Sequence, residues 1–154
     1  MRERAVEGWP HWHWVAGLAG LAVAAQLWGL YLLTGPPGPG WFPNADKLQH
    51  ALGFALPVAL LLLALGLRRL AQRRLPTRGA ILLVAGGFLG HAVLSEVVQH
   101  VFLPSRTGDP WDALADGVGV AAGALVGVAL LRRATRRADG PGPSVPEHLA
   151  AGRS

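Results

Sequence analysis

Residues 80–103 read AILLVAGGFLGHAVLSEVVQHVFL, and this stretch combines the length of a membrane span with polar side chains near its far end. Its 24 residues exceed the number that an α-helix needs to cross the hydrocarbon core, which is about 20. A charged group at that depth costs about 2.5–3.5 kcal/mol on insertion scales unless it faces the protein interior. The stretch therefore predicts a spanning helix whose Glu96 finds partners inside a bundle.

Four apolar blocks of 19 to 24 residues organise the chain, at residues 14–33, 48–67, 80–103 and 113–131. Half of the 154 residues are hydrophobic, and only 15% are charged. We therefore predict an all-α, integral membrane four-helix bundle with four transmembrane helices. We expect a cytoplasmic segment with interfacial tryptophans at residues 1–13 and a transmembrane domain at residues 14–133. A disordered cytoplasmic tail, rich in proline and glycine, is expected at residues 134–154.

The basic residues predict the orientation of the bundle in the membrane. Most lie before the first span, between the second and third spans, or after the fourth: Arg2, Arg4, Arg68, Arg69, Arg73, Arg74, Arg78, Arg132, Arg133, Arg136 and Arg137. The positive-inside rule then places both termini in the cytoplasm. The net charge of +5 is explained by orientation, so we predict the lipid bilayer and no nucleic acid as a partner. The chain has no cysteine, which excludes disulfides and thiolate metal sites.

Helical periodicity predicts that the polar faces of three spans meet in the outer half of the bilayer. Asp46, His50, Gly53 and Pro57 share one stripe of the second helix, and His91, Ser95, Glu96 and Gln99 share one side of the third. Glu96 lies seven residues before Leu103, which is roughly 10 Å below the outer end of its helix. Valines and a leucine occupy the other side, which we expect to face lipid: Val93, Leu94, Val97, Val98 and Val101.

The fourth span carries two carboxylates above a seam of small residues. Asp112 and Asp116 lie on the same stripe as Gly119, Gly123 and Gly127. Glycines at this spacing let helix backbones approach closely. The carboxylates are therefore expected on a packed face, and the seam is also a candidate surface for an oligomer.

Three motifs resemble the VanZ-like family of small bacterial membrane proteins. They are DKLQH at residues 46–50, SEVVQHVFLPSR at 95–106 and DPWDALADGVGVAAG at 109–123. The resemblance covers spans two to four and implies a bacterial cytoplasmic membrane protein. Family motif residues carry over to Asp46, Lys47, His50, Glu96, Gln99, Arg106, Asp112 and Asp116, which we predict to bind a ligand. Asp116 departs from the family pattern, in which asparagine is usual.

The family's name derives from low-level resistance to the glycopeptide teicoplanin, and no biochemical activity is generally established for it. The resemblance implies low-level tolerance to teicoplanin, and the polar residues themselves favour binding of an envelope lipid, a cell-wall precursor or a glycopeptide. In that case Arg106 and Lys47 would contact phosphate or carboxylate, and the acids would contact amines. The acidic cluster requires a protonated histidine, a protonated carboxylate or a bound cation.

Other functions stay open on the sequence. The polar residues could simply hold the helices together. An enzyme could use His50 as a general base oriented by Asp46, with Glu96 as an acid, although no nucleophile is evident around Ser95 or Ser105. Four short spans without inverted repeats make a poor transporter.

Metal binding is a further alternative, through Asp46, His50, Glu96 and Asp112. Their spacing is not diagnostic, so we predict neither a metal nor a cofactor. Two other polar residues are expected to have structural roles. His91 is expected to be a hydrogen-bonded core histidine, and Gln26 is expected to bond a neighbouring helix.

Overall fold

The computed structural model describes residues 12–33, 42–72, 77–103 and 108–138, and within these ranges every regular element is helical. The four helices are α1 (Trp12–Leu27), α2 (Ala45–Ala71), α3 (Arg78–Phe102) and α4 (Pro110–Ala138). The predicted all-α four-helix fold is confirmed. All four helices begin two or three residues before the predicted spans, and α2 and α4 also end after them. Helix α4 continues for five residues into the segment expected to be a disordered tail.

Local capping explains where two of the helices begin. The Thr77 hydroxyl accepts a hydrogen bond from the Ala80 amide at 3.4 Å at the start of α3. At the start of α4, Asp109 Oδ1 accepts from the Trp111 amide at 2.9 Å. Pro110 occupies the first helical position, where its missing N–H has no intrahelical partner to lose. Both helix starts therefore follow standard N-terminal signals.

A π-helical turn, Trp28–Leu32, continues α1. The Leu33 amide donates to the Trp28 carbonyl at 3.1 Å, five residues back along the chain. Side chains of α3 contact this turn at two points, since Gln99 Nε2 donates to the Leu30 carbonyl at 3.2 Å and Tyr31 Oη lies 3.1 Å from His91 Nε2. The π-helical turn therefore holds α1 against α3 through these two side-chain contacts.

The outer surface of the bundle is apolar on all four helices. Trp14, Leu83 and Leu125 are 77%, 77% and 74% exposed. A water-soluble domain seldom exposes apolar side chains so extensively. Each helix is also long and apolar enough to cross a membrane. The chain is a multi-pass membrane protein by these criteria. Val93, Leu94, Val97 and Val101 lie on the exposed side of α3 as predicted, whereas Val98, which was expected there too, is only partly exposed.

Helix α2 is central, and its most extensive contacts are with α4. A Cβ atom added to Gly119 or Gly123 would collide with the carbonyl oxygen of Ala51 or Ala55. One turn further on, a Cβ at Gly127 would lie 2.9 Å from the Ala59 carbonyl oxygen. The glycine seam therefore packs within the chain. The predicted oligomer is untested, and it would have to use another surface.

Because the backbones of α2 and α4 touch at Gly123, we expect Gly123→Ala to reduce the free energy of unfolding by about 1–3 kcal/mol through overpacking. Gly87 on α3 is a matched control, since an added Cβ there meets nothing within 4 Å. Gly87→Ala should be neutral or stabilising through helix propensity. Denaturant unfolding in a mild detergent measures both variants, and equal stabilities would contradict the close packing.

The orientation predicted from the arginines can be tested with single cysteines, because the chain has none of its own. Phe42, before α2, and Gln72, after it, are both exposed. An impermeant thiol reagent applied to intact cells should label Phe42→Cys, and it should label Gln72→Cys only after the cells are opened. The reverse labelling pattern would show that the predicted orientation in the membrane is wrong.

Candidate functional site

Lys47 forms the centre of the polar cluster at one end of the bundle. Its ammonium nitrogen lies 2.5 Å from Asp109 Oδ2, 2.6 Å from Asp112 Oδ1 and 3.1 Å from Asp46 Oδ2. Asp109 lies outside the membrane-spanning segments, and the Lys47 hydrogen bond lowers the pKa of its carboxyl. Lys47 is therefore neutralised by the protein itself.

A second, buried layer lies deeper in the bundle and consists of His50, Glu96 and Asp116. His50 Nδ1 is 3.0 Å from Asp116 Oδ1, and Asp116 is completely buried. Glu96 is 8% exposed, and its Oε2 atom accepts a hydrogen bond from the Asp109 amide at 2.9 Å. Asp109 therefore connects the two layers, through its side chain to Lys47 and through its backbone to Glu96.

The two layers follow from the helical repeat. On α2, His50 comes three residues after Lys47, and on α4, Asp116 comes four residues after Asp112. Residues at these spacings share a helix face. Lys47 pairs with Asp112 in the upper layer, and His50 pairs with Asp116 in the lower one. The α2–α4 contact thus aligns both pairs, and α3 adds Glu96.

With all of its carboxyl groups ionised, the cluster has more negative charge than the described residues neutralise. Its five carboxylates face one lysine, and they belong to Asp46, Glu96, Asp109, Asp112 and Asp116. Glu96 Oε1 and Asp116 Oδ2 are buried without a hydrogen-bond partner among the described residues. An unpartnered buried polar atom costs about 1–3 kcal/mol, and more when it is charged. This arrangement suits a cation or a cationic group.

A cavity of about 320 Å³ opens beside the cluster, between α1 and α2. His50, Gln49 and Gln26 supply its polar lining, and Leu30 and Phe54 are part of its apolar wall. Gln26 is buried, and its Nε2 atom has no partner among the described residues. The expected bond from Gln26 to a neighbouring helix is therefore not formed by this donor within the described ranges.

Six of the eight predicted site residues come together in the cluster: Asp46, Lys47, His50, Glu96, Asp112 and Asp116. Gln99 instead bonds the Leu30 carbonyl and connects α3 to α1. Arg106 lies outside the described residues, as does Ser105.

Three other expectations about polar side chains can be compared with the structure. His91 contacts Tyr31 at 3.1 Å, in agreement with its predicted role as a hydrogen-bonded histidine. The Ser95 hydroxyl donates to the Ala92 carbonyl at 2.8 Å, so within the described ranges its proton is bonded to a backbone carbonyl of its own helix and not to a base. His50 pairs with Asp116 rather than with Asp46, which was expected to orient it.

Sequence reasoning missed Asp109 as a member of the site. An available signal was the pair Asp109-Pro110, because aspartate followed by proline is typical of a helix start. A cap at that position exposes one carboxylate oxygen to neighbouring helices, and Lys47 donates to it.

Comparison of this chain with protein-family models, with curated proteins and with solved structures finds no match.

Removing Lys47 would leave the carboxylates of Asp46, Asp109 and Asp112 close together without their cation. We expect Lys47→Met to reduce the free energy of unfolding by about 1–3 kcal/mol. Adding Asp112→Asn should recover part of that loss, because it removes one repelling charge. Arg133→Met is the control, since it removes a positive charge from the exposed end of α4. If the effects of Lys47→Met and Asp112→Asn on the free energy of unfolding are additive, Lys47 and Asp112 are not coupled.

Proposed function

We propose that this chain is a VanZ-like membrane protein that binds an amphiphilic cell-envelope ligand: a lipid, a cell-wall precursor or a glycopeptide. The observation that carries the proposal is the cavity between α1 and α2, whose apolar wall ends at His50 of the acidic cluster. A membrane protein can recognise an amphiphile by receiving its apolar part from the bilayer and its polar group at a charged site.

The size and lining of the cavity support this proposal. Its volume of about 320 Å³ falls at the lower end of the range for small-molecule sites, about 300–1,000 Å³. Most of its lining is apolar, and polar groups converge at Gln26, Gln49 and His50. Small-molecule sites typically combine an apolar wall with a few polar groups in this way.

The charge of the cluster favours a ligand that carries an amine. Lys47 already contacts three carboxylates, so it has little capacity left for a phosphate or a carboxylate of the ligand. The excess negative charge around His50 would attract an ammonium group. Within the proposed function, the acids therefore make the main polar contacts with the ligand.

The family resemblance links this ligand class to a phenotype. A teicoplanin-type lipoglycopeptide has an acyl chain that the apolar wall could hold, and vancomycin lacks such a chain. We propose that the protein gives low-level tolerance to teicoplanin-type compounds and less to vancomycin. The motif residues Lys47, His50 and Glu96 carry the resemblance, and they occur in the cluster described above.

An intramembrane acid–base enzyme is the second candidate. It is favoured by the contact between His50 and the buried Asp116, since a carboxylate on one ring nitrogen can orient a histidine as a general base. Mass spectrometry of lipid and cell-wall precursor pools separates the two candidates. A binding protein leaves these pools chemically unchanged, whereas an enzyme creates or depletes a species in a manner that depends on His50.

Filling the cavity should abolish binding without damaging the fold. A side chain at Gly53 would enter the cavity, and an added Cβ there meets nothing within 4 Å. We expect native mass spectrometry to find an amphiphile co-purifying with the wild type and not with Gly53→Leu, and we expect Gly53→Leu to lose teicoplanin tolerance in a susceptible Gram-positive host. Gly90→Leu is the matched control, because Gly90 is equally unobstructed and does not line this cavity.

Glu96→Gln separates a ligand site from a purely structural cluster, because it removes the charge and preserves the size of the side chain. The site interpretation predicts a folded protein that has lost binding. Unchanged ligand content in both Gly53→Leu and Glu96→Gln would exclude this cavity as the site.

A further inference from the structure

We propose that His50, Glu96 and Asp116 bind a divalent first-row transition-metal ion, such as Zn²⁺ or Mn²⁺, between α2, α3 and α4. One ligand-type atom from each of these side chains lies within 4.8 Å of the others. The set differs from the one considered on the sequence, because Asp116 replaces Asp46 and Asp112. The three residues come from three different helices, so no sequence spacing reveals them.

The distance between the His50 and Asp116 donor atoms matches that of two ligands in one coordination sphere, and Glu96 lies close enough to complete the set after a small side-chain shift. Metal–nitrogen and metal–oxygen bonds in such sites are about 2.0–2.2 Å, so two adjacent ligands at right angles lie about 3.0 Å apart. His50 Nδ1 and Asp116 Oδ1 are 3.0 Å apart. An ion could therefore replace the proton between these two atoms with little movement of either helix.

The unpartnered oxygens are an independent indication of a cation-binding site. Glu96 and Asp116 are 8% and 0% exposed, and each has one oxygen without a hydrogen-bond partner among the described residues. Buried carboxylate oxygens are normally paired or bound to a metal. The same two side chains also belong to the cluster with His50, so the unsatisfied acceptors occur where the ion would bind.

Neighbouring residues orient the ligands. Glu96 Oε2 is held by the Asp109 amide at 2.9 Å, which leaves Oε1 available. Asp112 Oδ2 is 3.7 Å from His50 Nε2, the ring nitrogen that would face away from the ion. In many metal sites a carboxylate lies beside the ring nitrogen that does not bind the ion, and it helps to fix the tautomer and the orientation of the ring.

The ligand types select the class of metal. Mg²⁺ and Ca²⁺ prefer oxygen ligands only, whereas a histidine with two carboxylates suits Zn²⁺ or Mn²⁺. A divalent ion would reduce the excess negative charge of the cluster without removing it. The metal site and the amphiphile site are therefore compatible, and the metal proposal does not depend on the proposed function.

The test is metal binding by the full-length chain, purified without a histidine tag, in the absence of any added amphiphile. Dialysis against Zn²⁺ or Mn²⁺ followed by elemental analysis should give one ion per chain for at least one of the two metals. Mg²⁺ should not compete at equal concentration. Electron paramagnetic resonance of Mn²⁺ provides a second readout, because buried and hydrated ions have different spectra.

Variants identify the ligands. Glu96→Gln and His50→Gln should weaken binding by at least about 100-fold, and Asp112→Asn by about 10–100-fold, because Asp112 lies beside His50 and does not bind the ion itself. His100→Gln on the exposed face of α3 is the control and should bind as the wild type does. Thermal unfolding with and without the metal confirms that each variant is folded.

Two results would overturn the proposal. One is a wild-type protein that retains neither ion at micromolar concentrations. The other is full metal binding by folded Glu96→Gln and His50→Gln, which would assign the ion to other histidines. Neither result bears on the amphiphile, because Gly53→Leu reports on that site separately.

Discussion

The close contact between α2 and α4 is the constraint on which the rest of the structure depends. Gly119, Gly123 and Gly127 approach the backbone at Ala51, Ala55 and Ala59 in turn, with the same offset at each step. Both helices therefore run in the same direction and keep one register. Lipid provides no hydrophobic force between helices, so packing of small residues at this seam is a main source of their association.

The polar cluster follows from this register. Directly above the glycine seam, the same faces of α2 and α4 place His50 beside Asp116 and Lys47 beside Asp112. A larger residue in the seam would separate these pairs as well as the backbones. Helix α3 supplies Glu96 from the side, and the start of α4 positions Asp109 to hold it. The site thus depends on two local features, which are the glycine seam between α2 and α4 and the N-terminal cap of α4.

Much of this could be predicted from the sequence, because a span of apolar residues and the helical repeat are local properties. Residues 80–103 indicated both the length of α3 and the side on which Ser95, Glu96 and Gln99 are buried. Partners across helices could not be predicted, since they depend on rotation and register between elements. Periodicity placed Asp46 and His50 on one stripe of α2, yet His50 faces Asp116 of α4, and Gln99 bonds a carbonyl of the π-helical turn.

The energetics of the cluster bear on whether it only holds the helices together. Interhelical hydrogen bonds in membranes contribute about 0.6 kcal/mol on average. Each buried oxygen without a partner costs about 1–3 kcal/mol, and Glu96 and Asp116 each have one among the described residues. The glycine seam already provides close packing of α2 against α4 below this point. A cluster that served only for cohesion would be more stabilising with fewer carboxylates, so its composition favours a role in binding a cation or a cationic ligand.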